Sequence, residues 1–79
     1  MRYYFDQRDW DGLCVDDEGT ELRSLEAVQK EATDSLADAI REVLRWPIRA
    51  GGISIEVRDH KGQVMSVRFS IEIEVGRKN

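Results

Sequence analysis

Cysteine, histidine and proline occur once each in this 79-residue chain. A single cysteine, Cys14, excludes an intrachain disulfide. Cys14 and His60 together fall short of the four Cys/His ligands of a structural zinc site. No apolar run approaches the roughly 18 residues that span a bilayer. The opening Met1-Arg2-Tyr3-Tyr4-Phe5-Asp6 has neither the apolar core nor the small-residue cleavage site of a secretory signal. These absences lead us to expect a cytoplasmic protein with a reduced thiol and no membrane partner. Repeats, low-complexity tracts and linkers are also missing, so residues 1–79 are read as a single domain.

A basic excess is lacking too. Lys plus Arg number 12 against 16 Asp plus Glu, a net charge of −4. The imbalance is local: residues 1–22 carry seven acids and two arginines, whereas the remainder is nearly balanced. A domain that grips phosphate backbones carries a basic face, so nucleic acid is not an expected partner. Tyr3, Tyr4, Phe5, Trp10 and Trp46 would suit a base-stacking platform, but the acids beside them would repel phosphates. Tyr3 and Phe5 are therefore assigned to the core and Trp46 to the end of the helix. The acids Asp9, Asp11, Asp16, Asp17 and Glu18 form a candidate patch for a protein partner.

What is present is a legible succession of elements. Arg2–Arg8 is rich in aromatics and reads as a strand. Asp9-Trp10-Asp11-Gly12 is a hairpin signal, and residues 13–15 are a short second strand. Ser24 stands as N-cap before Leu25-Glu26-Ala27, with Glu26 suited to the helix dipole. Apolar residues at Leu25, Val28, Ala32, Leu36, Ala39, Ile40, Val43 and Leu44 make one stripe of a helix. Pro47 disfavours helical geometry at Trp46, so the helix is expected over about 25–45. Residues 53–59 and 63–75 alternate apolar and polar positions, the mark of strands with one buried face. Asp59-His60-Lys61-Gly62 fits a type I turn closed by a glycine bulge. Pairing Asp59 with Gln63 sets Val57 opposite Met65, Ile55 opposite Val67 and Ile53 opposite Phe69. The expected fold is α+β, a two-layer β-β-α-β-β arrangement. One amphipathic helix packs on one face of a four-stranded antiparallel sheet, and the strand order 2-1-3-4 keeps all neighbours antiparallel. Leu36, Ile40, Ile55, Val67 and Phe69 are the expected centre of the core.

Candidate chemistry is sparse. Gln7 to Glu18 matches the spacing of a calcium-binding EF-hand loop at Asp9, Asp11, Gly12 and Glu18, but Gln7 replaces the first acid and a strand precedes it. It is read as a turn followed by an acidic loop, with no metal. Cys14, within Leu13-Cys14-Val15, is expected to be buried and inert. His60 belongs to a turn, the serines lack a nucleophile motif, and Gly51-Gly52 precedes a strand and not a phosphate-binding helix. No catalytic residue, cofactor or enzyme activity is expected.

Several segments resemble a known family. The opening Arg2-Tyr3-Tyr4-Phe5 strand, the acidic loop Asp16-Asp17-Glu18-Gly19-Thr20-Glu21-Leu22, the helix start Leu25-Glu26-Ala27 and the turn Glu56-Val57-Arg58-Asp59-x-x-Gly62 look like a family of small uncharacterised bacterial proteins, a domain of unknown function. The resemblance covers most of the chain. It implies a fold and a bacterial cytosolic setting, but no activity and no catalytic residues. The family often has His where this chain has Asp6. Residues 1 to about 45 are also similar to the antitoxin of the HicA–HicB toxin–antitoxin pair in hairpin, loop and helix start, without that family's proline-rich loop.

A domain this short buries only about 60% of the surface its unfolded chain exposes, and sharing a core relieves that deficit. The expectation is therefore a small non-catalytic binding or assembly module that self-associates as a dimer. The candidate edge is Ile71, Ile73 and Val75, the overhang of the last strand beyond its partner. The alternative is an antitoxin-like protein that masks a basic partner with its acidic N-terminal region.

Overall fold

Two turns of the same chemistry organise the chain. In each, an aspartate at the end of a strand accepts a hydrogen bond from the backbone N–H two residues on. Asp11 N donates to Asp9 Oδ1 at 2.9 Å, and Lys61 N donates to Asp59 Oδ1 at 2.8 Å. Such a contact bends the backbone without help from distant residues. In the computed structural model, which describes residues 1–47 and 49–77, these turns join β1 (Arg2–Asp9) to β2 (Gly12–Cys14) and β4 (Gly51–Asp59) to β5 (Gly62–Ile71). Between the hairpins lie β3 (Thr20–Glu21) and α1 (Leu25–Val43).

The strands form one antiparallel sheet in the order β2-β1-β4-β5. This is the expected order, with one addition. The two-residue β3 returns to pair with the start of β1, setting Arg2 opposite Glu21.

The expected register holds in the body of the second hairpin. Ile53 faces Phe69, Ile55 faces Val67 and Val57 faces Met65. The turn differs. Asp59 pairs with Gly62, not Gln63, and the extra residue is taken up past Arg58, where Val64 falls between two paired positions. A bulge re-aims a side chain, and here both Val64 and Met65 pack against the core. The strand ends also move. β4 begins at Gly51, so the two glycines are strand and not turn. β5 stops at Ile71, opposite Gly51, and not at residue 75. The second strand is Gly12–Cys14, and none of its residues is buried.

Ser24 caps the helix as expected, its Oγ accepting from Ala27 N at 3.1 Å. The helix ends at Val43, slightly short of residue 45, with Leu44 as C-cap. Val28, Ala32, Leu36 and Ala39 are its buried residues. Leu25 and Leu44, at the two ends of the stripe, remain exposed. Lys30 and Asp34 make an i,i+4 ion pair of 3.1 Å on the outer side. Among the described residues, no helix is long and apolar enough to cross a membrane.

The core centres on β4. Ile53, Ile55 and Val57 are almost wholly enclosed, with Val28 above them and Tyr3 beside them. Phe5, Ile40 and Val67 are half-buried around this centre. Phe69, expected at the centre, keeps 36% of its surface exposed. It shares the face of Val67 but lies on the edge strand, which the helix covers incompletely. Truncation of Ile55 to Ala is expected to destabilise the protein by about 2–5 kcal/mol, a large share of the stability of so small a domain. Chemical denaturation of this variant checks the placement of the core.

Candidate interaction surface

The acidic loop is built around Asp16. On the border of β1 away from β4, no strand lies between β2 and β3, and the Asp16 carboxylate takes the missing place. It accepts from Phe5 N at 3.0 Å on one oxygen, and from Glu18 N and Gly19 N at 3.0 and 3.1 Å on the other. In return, Asp16 N donates to Asp6 Oδ1 at 2.9 Å. Gly19, at φ +76°, lies against the Tyr4 ring and the Arg2 side chain so closely that a Cβ would fall 2.8 Å from the ring.

Asp6 is 7% exposed although it lies on the face opposite the helix. Arg58, from the neighbouring strand, makes this tolerable. Its Nε donates to Asp6 Oδ2 at 2.9 Å, and its Nη2 donates to the Asp16 carbonyl, also at 2.9 Å. Its guanidinium stacks 4.6 Å from the Tyr4 ring centroid, a favourable cation–π distance. Hydrogen bonding to Asp6 raises the Arg58 pKa above its ordinary value. Burial pushes the Asp16 carboxyl up, but the amides of Phe5, Gly19 and Glu18, together with Arg58, bring it below the ordinary carboxylate range. Nearby, Arg8 and Glu56 form a second cross-strand ion pair of 2.6 Å.

The candidate acidic patch therefore divides. Asp16 is half-buried and occupied by three backbone amides. Asp9 holds its own turn and also accepts from Gln7 Nε2. Asp11, Asp17 and Glu18 are exposed, and Asp11 lies 3.8 Å from the Arg49 guanidinium. The segment Gln7–Glu18 is a hairpin and a loop, and among the described residues no three His, Cys, Asp or Glu side chains stand close enough to hold a metal ion. Cys14 is exposed, contrary to the expectation of burial. Edge strand β2 is too short for the apolar triplet Leu13-Cys14-Val15 to reach the core.

Trp10 has a structural part that its turn position did not announce. Its Nε1 donates to the Ala50 carbonyl at 2.7 Å, and its ring lies over Gly51, whose φ of +138° and missing Cβ permit the contact. Arg49 stacks on the same ring at 5.3 Å. Trp10, Arg49, Val43, Trp46 and Pro47 line an open groove of about 410 Å³, with Asp9 and Asp11 at its rim. Trp46, expected to cap the helix, is 66% exposed there.

The third feature is the outer edge of β5. Among the described residues no strand pairs with it. Of the candidate edge residues, Ile71 ends the strand opposite Gly51. Ile73 and Val75 follow outside regular structure, 53% and 66% exposed.

A family model described as "Domain of unknown function (DUF6894)" matches residues 2–70, and the chain belongs to that family. Ile71, Ile73 and Val75 lie just beyond the matched segment. No curated protein and no solved structure matches the chain.

The Asp16 arrangement has a measurable consequence. Asp16→Ala leaves three amides without their acceptor and is expected to cost about 1–3 kcal/mol. The folded carboxyl titrates below its unfolded value of about 4, so its stabilisation is complete above that pH and disappears as pH falls through the folded value. Thermal melts between pH 7 and pH 2 should show a smaller acid-induced loss of Tm in the variant than in the parent protein.

Proposed function

We propose that this member of the family is a small non-catalytic assembly module that self-associates through the outer edge of β5 and the segment following it. One observation carries the reading: the alternating apolar pattern of β5 continues through Ile73 to Val75, four residues past the last paired position, and these side chains are exposed. An edge strand with free backbone groups and an apolar face is a template for another strand. Phe69, partly exposed on the same face, adds to the apolar surface that a partner would cover. The chemistry-bearing side chains support a non-catalytic part. His60 is exposed at the tip of a turn, Cys14 is exposed on β2, and the Asp6–Arg58–Asp16 cluster is spent on internal hydrogen bonds.

A second reading, an antitoxin-like protein that masks a basic partner, rests on the exposure of Asp11, Asp17 and Glu18. With Asp9 and Asp16 engaged internally, this surface is smaller than the run of acids suggests.

Sedimentation equilibrium tests the first reading. The expected mass is near twice 9.1 kDa at micromolar concentration, shifted to the single-chain mass by Ile73→Lys. Single-chain mass throughout the accessible concentration range would overturn it.

A further inference from the structure

The segment that carries β5 past its partner strand is self-complementary about one residue. Met65, Val67 and Phe69 stand at five, three and one positions before Ser70. Ile71, Ile73 and Val75 stand at one, three and five positions after it. The polar positions follow the same centre, with Arg68 two residues before Ser70 and Glu72 two residues after. We propose that two copies of the chain pair β5 to β5, antiparallel, about a two-fold axis through Ser70, with residues 72–75 joining the strand on association. This inference rests on the self-association reading and specifies its partner and register.

In this register Phe69 lies opposite Ile71 of the second copy, Val67 opposite Ile73 and Met65 opposite Val75. Each Arg68 lies opposite Glu72 of the second copy. Directly opposed side chains are the units of sheet stabilisation, and both apolar and opposite-charge pairs are favourable. A two-fold perpendicular to the sheet keeps each residue on its own face, so both helices lie on the same side of a continuous sheet. Neighbouring registers match less well. Centring on Arg68 or Glu72 sets like charges against each other, which is unfavourable. Centring on Phe69 leaves Arg68 facing Ser70. Centring on Ile71 turns Arg68 toward Glu74 but places Met65 opposite Arg77. Only the Ser70 centre pairs all six apolar residues with one another and both arginines with acids.

The monomer is prepared for this arrangement. Ser66, Arg68 and Ser70 are exposed. Residues 72–77 lie outside regular structure because β4 supplies no residue opposite them before Gly51. A second β5 would supply the missing ladder.

Cysteine cross-linking of the full chain in a Cys14→Ser background tests the register. Directly opposed residues bring their Cα atoms to about 4.5–5.5 Å, within disulfide reach. Ser70→Cys should therefore form a covalent dimer under mild oxidation. Ser66→Cys should not, since its two copies would lie about 27 Å apart along the strands. Arg68→Glu and Glu72→Arg should each weaken the dimer about tenfold, and the double variant should recover it. Ser66, Arg68, Ser70 and Glu72 are all exposed, and circular dichroism confirms that each variant folds. A dimer in which Ser70→Cys cross-links no faster than Ser66→Cys, or in which the double charge swap fails to recover affinity, overturns the register while self-association stands. A parent protein that stays monomeric overturns both.

Discussion

Among the described residues, one helix covers the sheet. A helix with its side chains is about 10 Å across, and strands lie about 4.8 Å apart, so it spans about two strands and fully shields only one that also has a neighbour on each side. Here α1 packs over β4 and β5, and β4, flanked by β1 and β5, takes the full benefit. Its three inward residues are almost wholly enclosed, whereas Phe69 on β5 keeps part of its ring in solvent. The half-exposed edge is thus a consequence of the element count. A second helix would bury it, and among the described residues α1 is the one helix.

The opposite face is stabilised by other means. Without a second layer, Asp6 is enclosed by long side chains and a loop, and its charge is matched by Arg58. An enclosed carboxylate in an open sheet face would be costly if left unpaired. Arg58 also holds the Asp16 carbonyl and stacks on Tyr4, so one guanidinium ties two strands and the acidic loop together. Among the described residues, no enclosed side-chain nitrogen or oxygen lacks a hydrogen-bond partner.

Much of this architecture is legible in the sequence because local chemistry and periodicity agree. Asp59 and Gly62 mark the turn, and the alternation around Ile53, Ile55 and Val57 fixes which residues face each other, even though the bulge falls at Val64 and not at the turn glycine. Ser24 announces the helix start. Periodicity assigns a face but not its coverage, which is why Phe69 reads as core and Leu13-Cys14-Val15 reads as buried. The part played by Asp16 was hidden by its neighbours in an acidic run. The spacing Asp16 to Gly19 repeats that of Asp9 to Gly12 and Asp59 to Gly62, and it was the available signal for an aspartate that organises backbone. The pairing of Asp6 with Arg58 depends on two strands separated by most of the chain, and local pattern alone does not place their side chains together.

The carboxylate of Asp16 beside Phe5 also bears on how far the sheet can grow. Along that border of β1 the positions are filled by the three residues of β2, the two of β3 and, between them, a side chain in place of a strand. An incoming strand would find no continuous ladder there. In the pairing proposed above, the molecule would be a monofunctional unit in the polymer chemist's sense, coupling at the β5 border while the β1 border is interrupted by its own loop. Units of that kind join once and stop. In that pairing, the same aspartate that orders a loop within one molecule would separate a finite pair from an endless ribbon.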